Sequence, residues 1–230
     1  YELVNAAGRA VPAERIDYNG SPAGYTRDPQ ENVIYISAHD NETWFDGLQV
    51  KLPCDTPLAE RVRVANLGVS IVALAQGIPF FHAGDELMRS KSGDKNSYDS
   101  GDWWNRLDFT GLTNAWGSGL PPASANQADW PLLGPLLASA GTADDTRPGP
   151  AEIAAARAHF EEMLRIRRST SLLRLRTAAE IKSQLTFLNV GPDQVPGLVV
   201  MRVVAGASGS GPFGQVVALV SSVPWIDPAS

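Results

Sequence analysis

Val33-Ile34-Tyr35-Ile36-Ser37-Ala38-His39-Asp40-Asn41-Glu42-Thr43 changes character after its fourth residue. The first four side chains are apolar or aromatic and mostly β-branched, without polar alternation. That is the pattern of a strand covered on both faces, as in a parallel sheet. The polar burst that follows falls at the strand's carboxyl end. Downstream, a linker through Pro53 and Pro57 leads into a helical pattern from Leu58 to Gln76. Leu58, Val62, Ala65, Val69, Val72 and Ala73 recur at spacings of three or four. Leu67, Ile71 and Leu74 widen the stripe, whereas Arg61 and Arg63 are expected to point away from it. Gly77 suits a helix stop. Ile78-Pro79-Phe80-Phe81 then reads as a second short strand, running into His82-Ala83-Gly84-Asp85-Glu86. Strand, helix and strand make a β-α-β unit, which predicts parallel strands with a right-handed crossover and both polar segments on one edge.

Around this unit the chain is less regular. Residues 1–30 carry turn signals at Asn19-Gly20 and Ser21-Pro22 and read as a loop or irregular hairpin. Residues 89–128 show no clear period, but four of the six tryptophans lie between Trp103 and Trp130, which argues against disorder. Residues 138–149 read as a flexible insert. A helix is predicted from Pro150 to Arg168, with Ile153, Ala156, Phe160, Met163 and Leu164 buried and His159 facing solvent. Strands follow at Leu185–Val190, Leu198–Val204 and Gln215–Val223. Two parallel strands fall short of the eight that close a barrel. The expected fold is therefore α/β: the last quarter of a (β/α)₈ barrel over residues 1–170, then the start of a small, truncated all-β domain over 171–230.

The chain has 230 residues, 43% of them hydrophobic and 19% charged, which suits a packed core rather than a disordered chain. A net charge of −6 argues against nucleic acid as a partner, because phosphate binding needs a basic face. No apolar run is long enough to span a bilayer: Val69 to Ala83 is interrupted by Gln76, Gly77, Pro79 and His82. The single cysteine, Cys54, excludes an internal disulfide. Tyr1 opens a polar stretch without a signal-peptide pattern, and the chain is expected to be a piece of a longer one.

His39-Asp40 is the sharpest chemical feature. A carboxylate at a strand end can bind sugar hydroxyls, a metal or a developing positive charge, and the histidine can donate a hydrogen bond. Capping of a turn is the plainer alternative. Asp85 and Glu86 present a weaker version, and His82 reads as a satisfied core or loop histidine. Trp103 and Trp104 offer flat faces for a sugar or serve as packing anchors. Asp94 to Asp99 is dense in short polar groups, as hydroxyl-rich ligands require, or is an ordinary solvated turn. There is no phosphate loop and no zinc signature. A metal hydrolase built on His39, Asp40, His82 and Asp85 stands as a competitor.

Several blocks together resemble the starch-debranching enzymes of the pullulanase and limit dextrinase group, within the alpha-amylase superfamily of glycoside hydrolases. They are Tyr35 to Thr43, Gly77 to Leu87, Arg89-Ser90-Lys91-Ser92, Asn96 to Trp103, Trp116 to Pro122 and Asn189 to Gly197. The His82-Ala83-Gly84-Asp85-Glu86 version is most similar to plant and algal limit dextrinases and their bacterial relatives. The resemblance implies a (β/α)₈ barrel whose seventh and eighth strands lie at Val33–Ser37 and Ile78–His82, with a β-sandwich following. It also implies retaining hydrolysis of α-1,6-glucosidic links in pullulan, amylopectin or limit dextrins, with a nucleophile and general acid that would lie upstream of Tyr1. Asp40 maps to the family's transition-state-stabilising carboxylate and His39 to a sugar-binding histidine. Arg89, Asp94, Asn96, Tyr98, Asp102 and Trp103 fall in the segment that helps build a neighbouring glucose subsite.

The resemblance implies no required cofactor. Calcium is admitted as a structural ion in this superfamily, although no EF-hand-like run is present. A plant or algal source would favour a plastid, and a bacterial one the cytoplasm or secretion. Lys95-Asn96 replaces the expected Arg-Asp, Trp103-Trp104 is doubled, and the 138–149 loop is long for the family. A non-catalytic α-glucan-binding remnant is the alternative function.

Overall fold

The structure is a computed structural model that describes residues 2–139, 142, 145–206 and 211–222. In chain order its regular elements begin with β1 (Glu2–Val4), β2 (Ala10–Pro12), β3 (Asp17–Tyr18), β4 (Ser21–Pro22), β5 (Val33–Ile34), α1 (Trp44–Lys51), α2 (Leu58–Leu74) and β6 (Ile78–Pro79). They continue with α3 (Asp102–Asn105), α4 (Ala123–Asn126), α5 (Trp130–Ala138), α6 (Pro150–Ser169), α7 (Ala178–Gln184), β7 (Leu185–Phe187), β8 (Leu198–Val204) and β9 (Gln215–Ser221). The described residues divide into two compact units, one drawn from 1–34, 73–79 and 165–230, the other from 35–72 and 80–164. The class is mixed α/β, and among the described residues no barrel closes.

In the first unit β5 and β6 pair in parallel, Val33 with Ile78 and Ile34 with Pro79, as the β-α-β pattern requires. Each strand is two residues long rather than four. Val33 and Ile78 stay exposed, where both faces were expected to be covered. A ladder of two strands brings no neighbours to cover them. Gly77 does more than stop α2: at φ 96°, a side-chain Cβ there would lie 2.7 Å from the Asn32 carbonyl oxygen. The N-terminal stretch forms two small hairpins, β1–β2 and β3–β4. Asn19 and Gly20, both at positive φ, make the tight turn of the second.

The three-stranded antiparallel sheet β7-β8-β9 contributes Leu185, Met201, Val203 and Ala218 to a core completed by Leu172, Leu173 and Leu175. β8 has its expected bounds, β7 stops at Phe187, and Val223 lies outside the described residues. Helix α7 stands where the sequence reading placed no helix. Its capping box, Thr177 with Glu180, was the available signal.

The second unit has its own core of Phe45, Leu48, Ala65, Leu87, Met88, Trp116, Leu133, Leu136, Ile153 and Ala156. Helix α1 starts at Thr43, whose hydroxyl accepts from the Asp46 amide. Arg61 overturns its expected outward orientation. It is fully buried and donates to the carbonyls of Leu48, Pro53, Cys54 and Thr56 and to the Gln49 side chain. It thereby satisfies carbonyls at the C-terminal end of α1 and in the linker that follows.

Helix α6 buries Ile153 and Ala156 as expected, and Phe160 meets Phe81 edge-on at 4.8 Å. Leu164 is exposed, against expectation. His159 is half-buried rather than solvent-facing, with Nε2 2.8 Å from the Ser70 hydroxyl. Of the expected insert, residues 140, 141, 143 and 144 lie outside the described set. Thr146, however, is buried and accepts from the Trp116 indole. Among the described residues no helix is long and apolar enough to cross a membrane.

Candidate functional site

The segment after β5 carries the candidate chemistry, and it is held mostly through its backbone. Residues 35–43 run from the strand to the Thr43 cap, and Asn41 adopts a left-handed conformation at φ 61°. The side chains of His39 and Asp40 project outward, 87% and 82% exposed, with His39 Nε2 3.6 Å from Asp40 Oδ2. Beyond β6, the left-handed Gly84 lets the Arg89 stem pass, because a Cβ there would sit 2.6 Å from Arg89 Cβ. Arg89 donates to the carbonyls of Ala83 and Asn105 and lies 3.3 Å from His82 Nε2. Burial, followed by the charges of Arg89, Lys91 and His39, lowers the His82 pKa and favours a neutral imidazole.

These groups line one cleft with Lys91, Lys95, Asn96, Ser97, Tyr98 and Asn105. Of the residues singled out in the sequence, His39, Asp40, Arg89, Asn96 and Tyr98 are therefore brought together. Asp94, Asp102 and Trp103 are not among its lining residues. Asp94 is fully buried, and its Oδ1 accepts from the Asn96 amide and the Asn126 side chain. That is turn-closing work inside the loop. Asp102 opens the short helix α3. Trp103 donates its indole N–H to Ser118, and the Arg106 guanidinium lies 4.3 Å from its ring centroid. Asn105 and Lys91 were missed, because in a sequence they resemble any polar loop residues, whereas Lys95 and Ser97 belong to the polar stretch from Asp94 to Asp99. His82 is half-buried, as a satisfied histidine would be, yet it reaches the cleft.

Asp40 is the one carboxylate among the lining residues, surrounded by cations and neutral donors. Such a cleft can hold hydroxyl-bearing rings through hydrogen bonds to a charged acceptor, which are the stronger kind. Asp85 is buried and occupied: Oδ1 accepts from the Ser37 hydroxyl at 2.8 Å and Oδ2 from the His82 amide at 3.0 Å. No group of three or more His, Cys, Asp or Glu side chains among the described residues is placed to hold a metal. His39, Asp40, His82 and Asp85 form no such group.

A family model described as "Alpha-1,6-glucosidases, pullulanase-type, C-terminal" matches residues 111–225, half of the chain. The chain belongs to the pullulanase-type α-1,6-glucosidase family. Among curated relatives, Pullulanase 1, chloroplastic, of Arabidopsis thaliana is 43% identical over 229 residues, 99% of this chain and 22% of that protein. The pullulanase of Klebsiella pneumoniae is 36% identical over 97% of this chain and 20% of that protein. Among solved structures, PulA from Klebsiella oxytoca superimposes with a TM-score of 0.91 at 35% identity, over 97% of this chain and 21% of that one. The Klebsiella pneumoniae pullulanase complexed with maltotriose gives 0.89 at 33% identity, again over 97% of this chain and 21% of that one. The chain thus spans about a fifth of the length of these pullulanase-type relatives.

Proposed function

We propose that this chain works as the C-terminal part of a longer retaining glycoside hydrolase that cleaves α-1,6 branch links in pullulan, amylopectin or limit dextrins. In this reading residues 1–170 complete a catalytic (β/α)₈ barrel and residues 171–230 begin an all-β domain. The observation that carries it is the exposed Asp40 carboxylate in the segment that follows the parallel strand β5, in a cleft it shares with His39, His82 and Arg89. Active sites of parallel α/β folds form at the carboxyl ends of the strands. The uncovered Val33 and Ile78 side chains suit strands that join further neighbours. The family membership and the maltotriose-bound relative support an α-glucan as ligand.

Retaining hydrolysis needs a nucleophile and a general acid on either side of the bond. Asp40 takes a third role. Its carboxylate accepts hydrogen bonds from hydroxyls of the sugar being cleaved, and those bonds strengthen as positive charge develops on the ring. His39, Arg89, Asn96 and Tyr98 hold the same sugar or its neighbour. Asp94, Asp102 and Trp103 serve the subsite indirectly, by shaping the loop that carries it.

The test is pullulan hydrolysis by the full-length protein and its Asp40→Asn variant. Turnover should fall by about 100-fold or more while KM changes little, as expected for an interaction made in the transition state. A variant within twofold of the parent in turnover would sink the assignment. The alternative, a glucan-binding remnant, is favoured by the single carboxylate in the cleft. It would be indicated by maltotriose binding in a full-length protein that cleaves no α-1,6 link.

A further inference from the structure

The exposed Asp40 carboxylate has little to orient it. Among the described residues its side chain meets one polar neighbour, His39, at 3.6 Å. Its placement must come from the backbone, and the backbone on either side of it is tied to a single buried group. Lys91 is 2% exposed, and its Nζ donates to the Asn41 carbonyl at 2.7 Å and the His39 carbonyl at 3.3 Å. Those are the residues immediately before and after Asp40. One ammonium thus bridges the chain across the candidate carboxylate, bonding the carbonyl of the left-handed Asn41.

Lys91 is itself held from below. Its amide donates at 2.7 Å to Asp46 Oδ2 in α1, and the hydroxyl of the preceding Ser90 donates to Asp46 Oδ1. Asp46 is fully buried. The carboxylate therefore grips the main chain of the 90–91 loop, while the Nζ bonds of Lys91 go to neutral carbonyls. Burying an ammonium is costly even with the Asp46 and Asp94 carboxylates nearby to offset part of the desolvation, and its hydrogen bonds are made to the two carbonyls rather than to those carboxylates. The arrangement does something an apolar filler cannot: it joins the loop after β6 to the loop after β5 at the residue that faces the ligand.

We infer that Lys91 is a positioning residue for Asp40, acting on the hydrolytic step through the two backbone carbonyls that flank it. The inference rests on the hydrolase reading above and adds to it a residue that need not touch the sugar. Because Asp40 is argued to act in the transition state, loss of its alignment should lower turnover more than substrate binding.

The experiment measures pullulan hydrolysis by the full-length protein carrying Lys91→Met, alone and combined with Asp40→Asn, with thermal unfolding as a check of the fold. Lys91→Met should lower kcat by about 10- to 100-fold while moving KM by less than about threefold. In the Asp40→Asn background the same change should cost less than about twofold more, because the group it aligns is already gone. A folded Lys91→Met protein with kcat within twofold of the parent would overturn the inference, as would an equal loss in both backgrounds. If Lys91→Met does not accumulate folded, Lys91→Gln is judged by the same two criteria. A parent protein that cleaves no α-1,6-glucan overturns the hydrolase reading and this inference with it. An active parent with an indifferent Lys91 overturns this inference alone.

Discussion

Asp85 occupies a place where a carboxylate is costly, and the cost has a measurable sign. Burial pushes its pKa from 3.8 up to about 6, and the hydrogen bonds from Ser37 and the His82 amide only partly oppose this. Between those two pH values the folded chain holds a proton that the unfolded chain has released. Stability should therefore fall as pH rises from about 4 to about 6 and then level off, by roughly 2–3 kcal/mol for this one group. Thermal or urea unfolding of the parent and Asp85→Asn, compared at pH 4.5 and pH 7, checks this. The parent should lose about 2 kcal/mol more than the variant over that interval, and equal losses would refute it. Burial raises Asp46 as well, so its effect has the same sign and is removed by taking the difference between parent and variant. Asp40, by contrast, is exposed to solvent.

The close packing of α1 on α2 depends on one small residue. Trp44 donates its indole N–H to the Ala65 carbonyl, and its ring lies over Gly68, where a Cβ would come within 2.5 Å of ring carbons. Inside an exposed helix, glycine to alanine would be favourable by about 1 kcal/mol. Here Gly68→Ala should instead destabilise by about 1–3 kcal/mol, because a rigid indole cannot step aside cheaply. Thermal unfolding decides the sign, and a stabilised variant would show that α1 can shift. Shortening Trp44 in the same background should recover part of the loss. Arg61 ties the same two helices from the other end, reaching from α2 to the Leu48 carbonyl in α1 and to the Pro53 carbonyl just beyond it. This region places the start of α1, Asp46 and hence the loop that Lys91 grips.

Each of the two compact units has its own apolar core, and the candidate cleft is lined entirely by residues of the second. That cleft holds one carboxylate, whereas retaining glycoside hydrolysis requires two to act as nucleophile and acid. The 230-residue chain produced alone should therefore release no reducing sugar from pullulan, even when circular dichroism shows it folded. Turnover by the isolated chain comparable to that of the full-length protein would require a second carboxylate to converge on Asp40 from within these residues. It would overturn the division of roles proposed above.

The parallel pairing of β5 with β6, the start of α2, the span of β8 and the position of His39-Asp40 in the polar segment after a strand could all be read along the chain. Each rests on local physics: β-branched runs, a helical apolar period, a glycine stop, and polar groups placed at a strand end. The burial of Arg61, Asp46 and Lys91 could not be read in that way, since a charged side chain looks solvent-facing until its partners are known. Arg61 finds carbonyls in the preceding helix and linker, whereas Lys91 finds carbonyls some fifty residues back in the chain. Helix α5 was hidden for a related reason. Its Trp130-Pro131-Leu132-Leu133-Gly134-Pro135 run is studded with helix breakers, and the burial of Leu133 and Leu136 accompanies a helix that propensity argues against. Local pattern thus determined where β5, β6, β8, the long helices and the candidate pair lie. Which polar groups go inside, and so how the candidate pair is held, depended on hydrogen-bond partners that only long-range folding brings within reach.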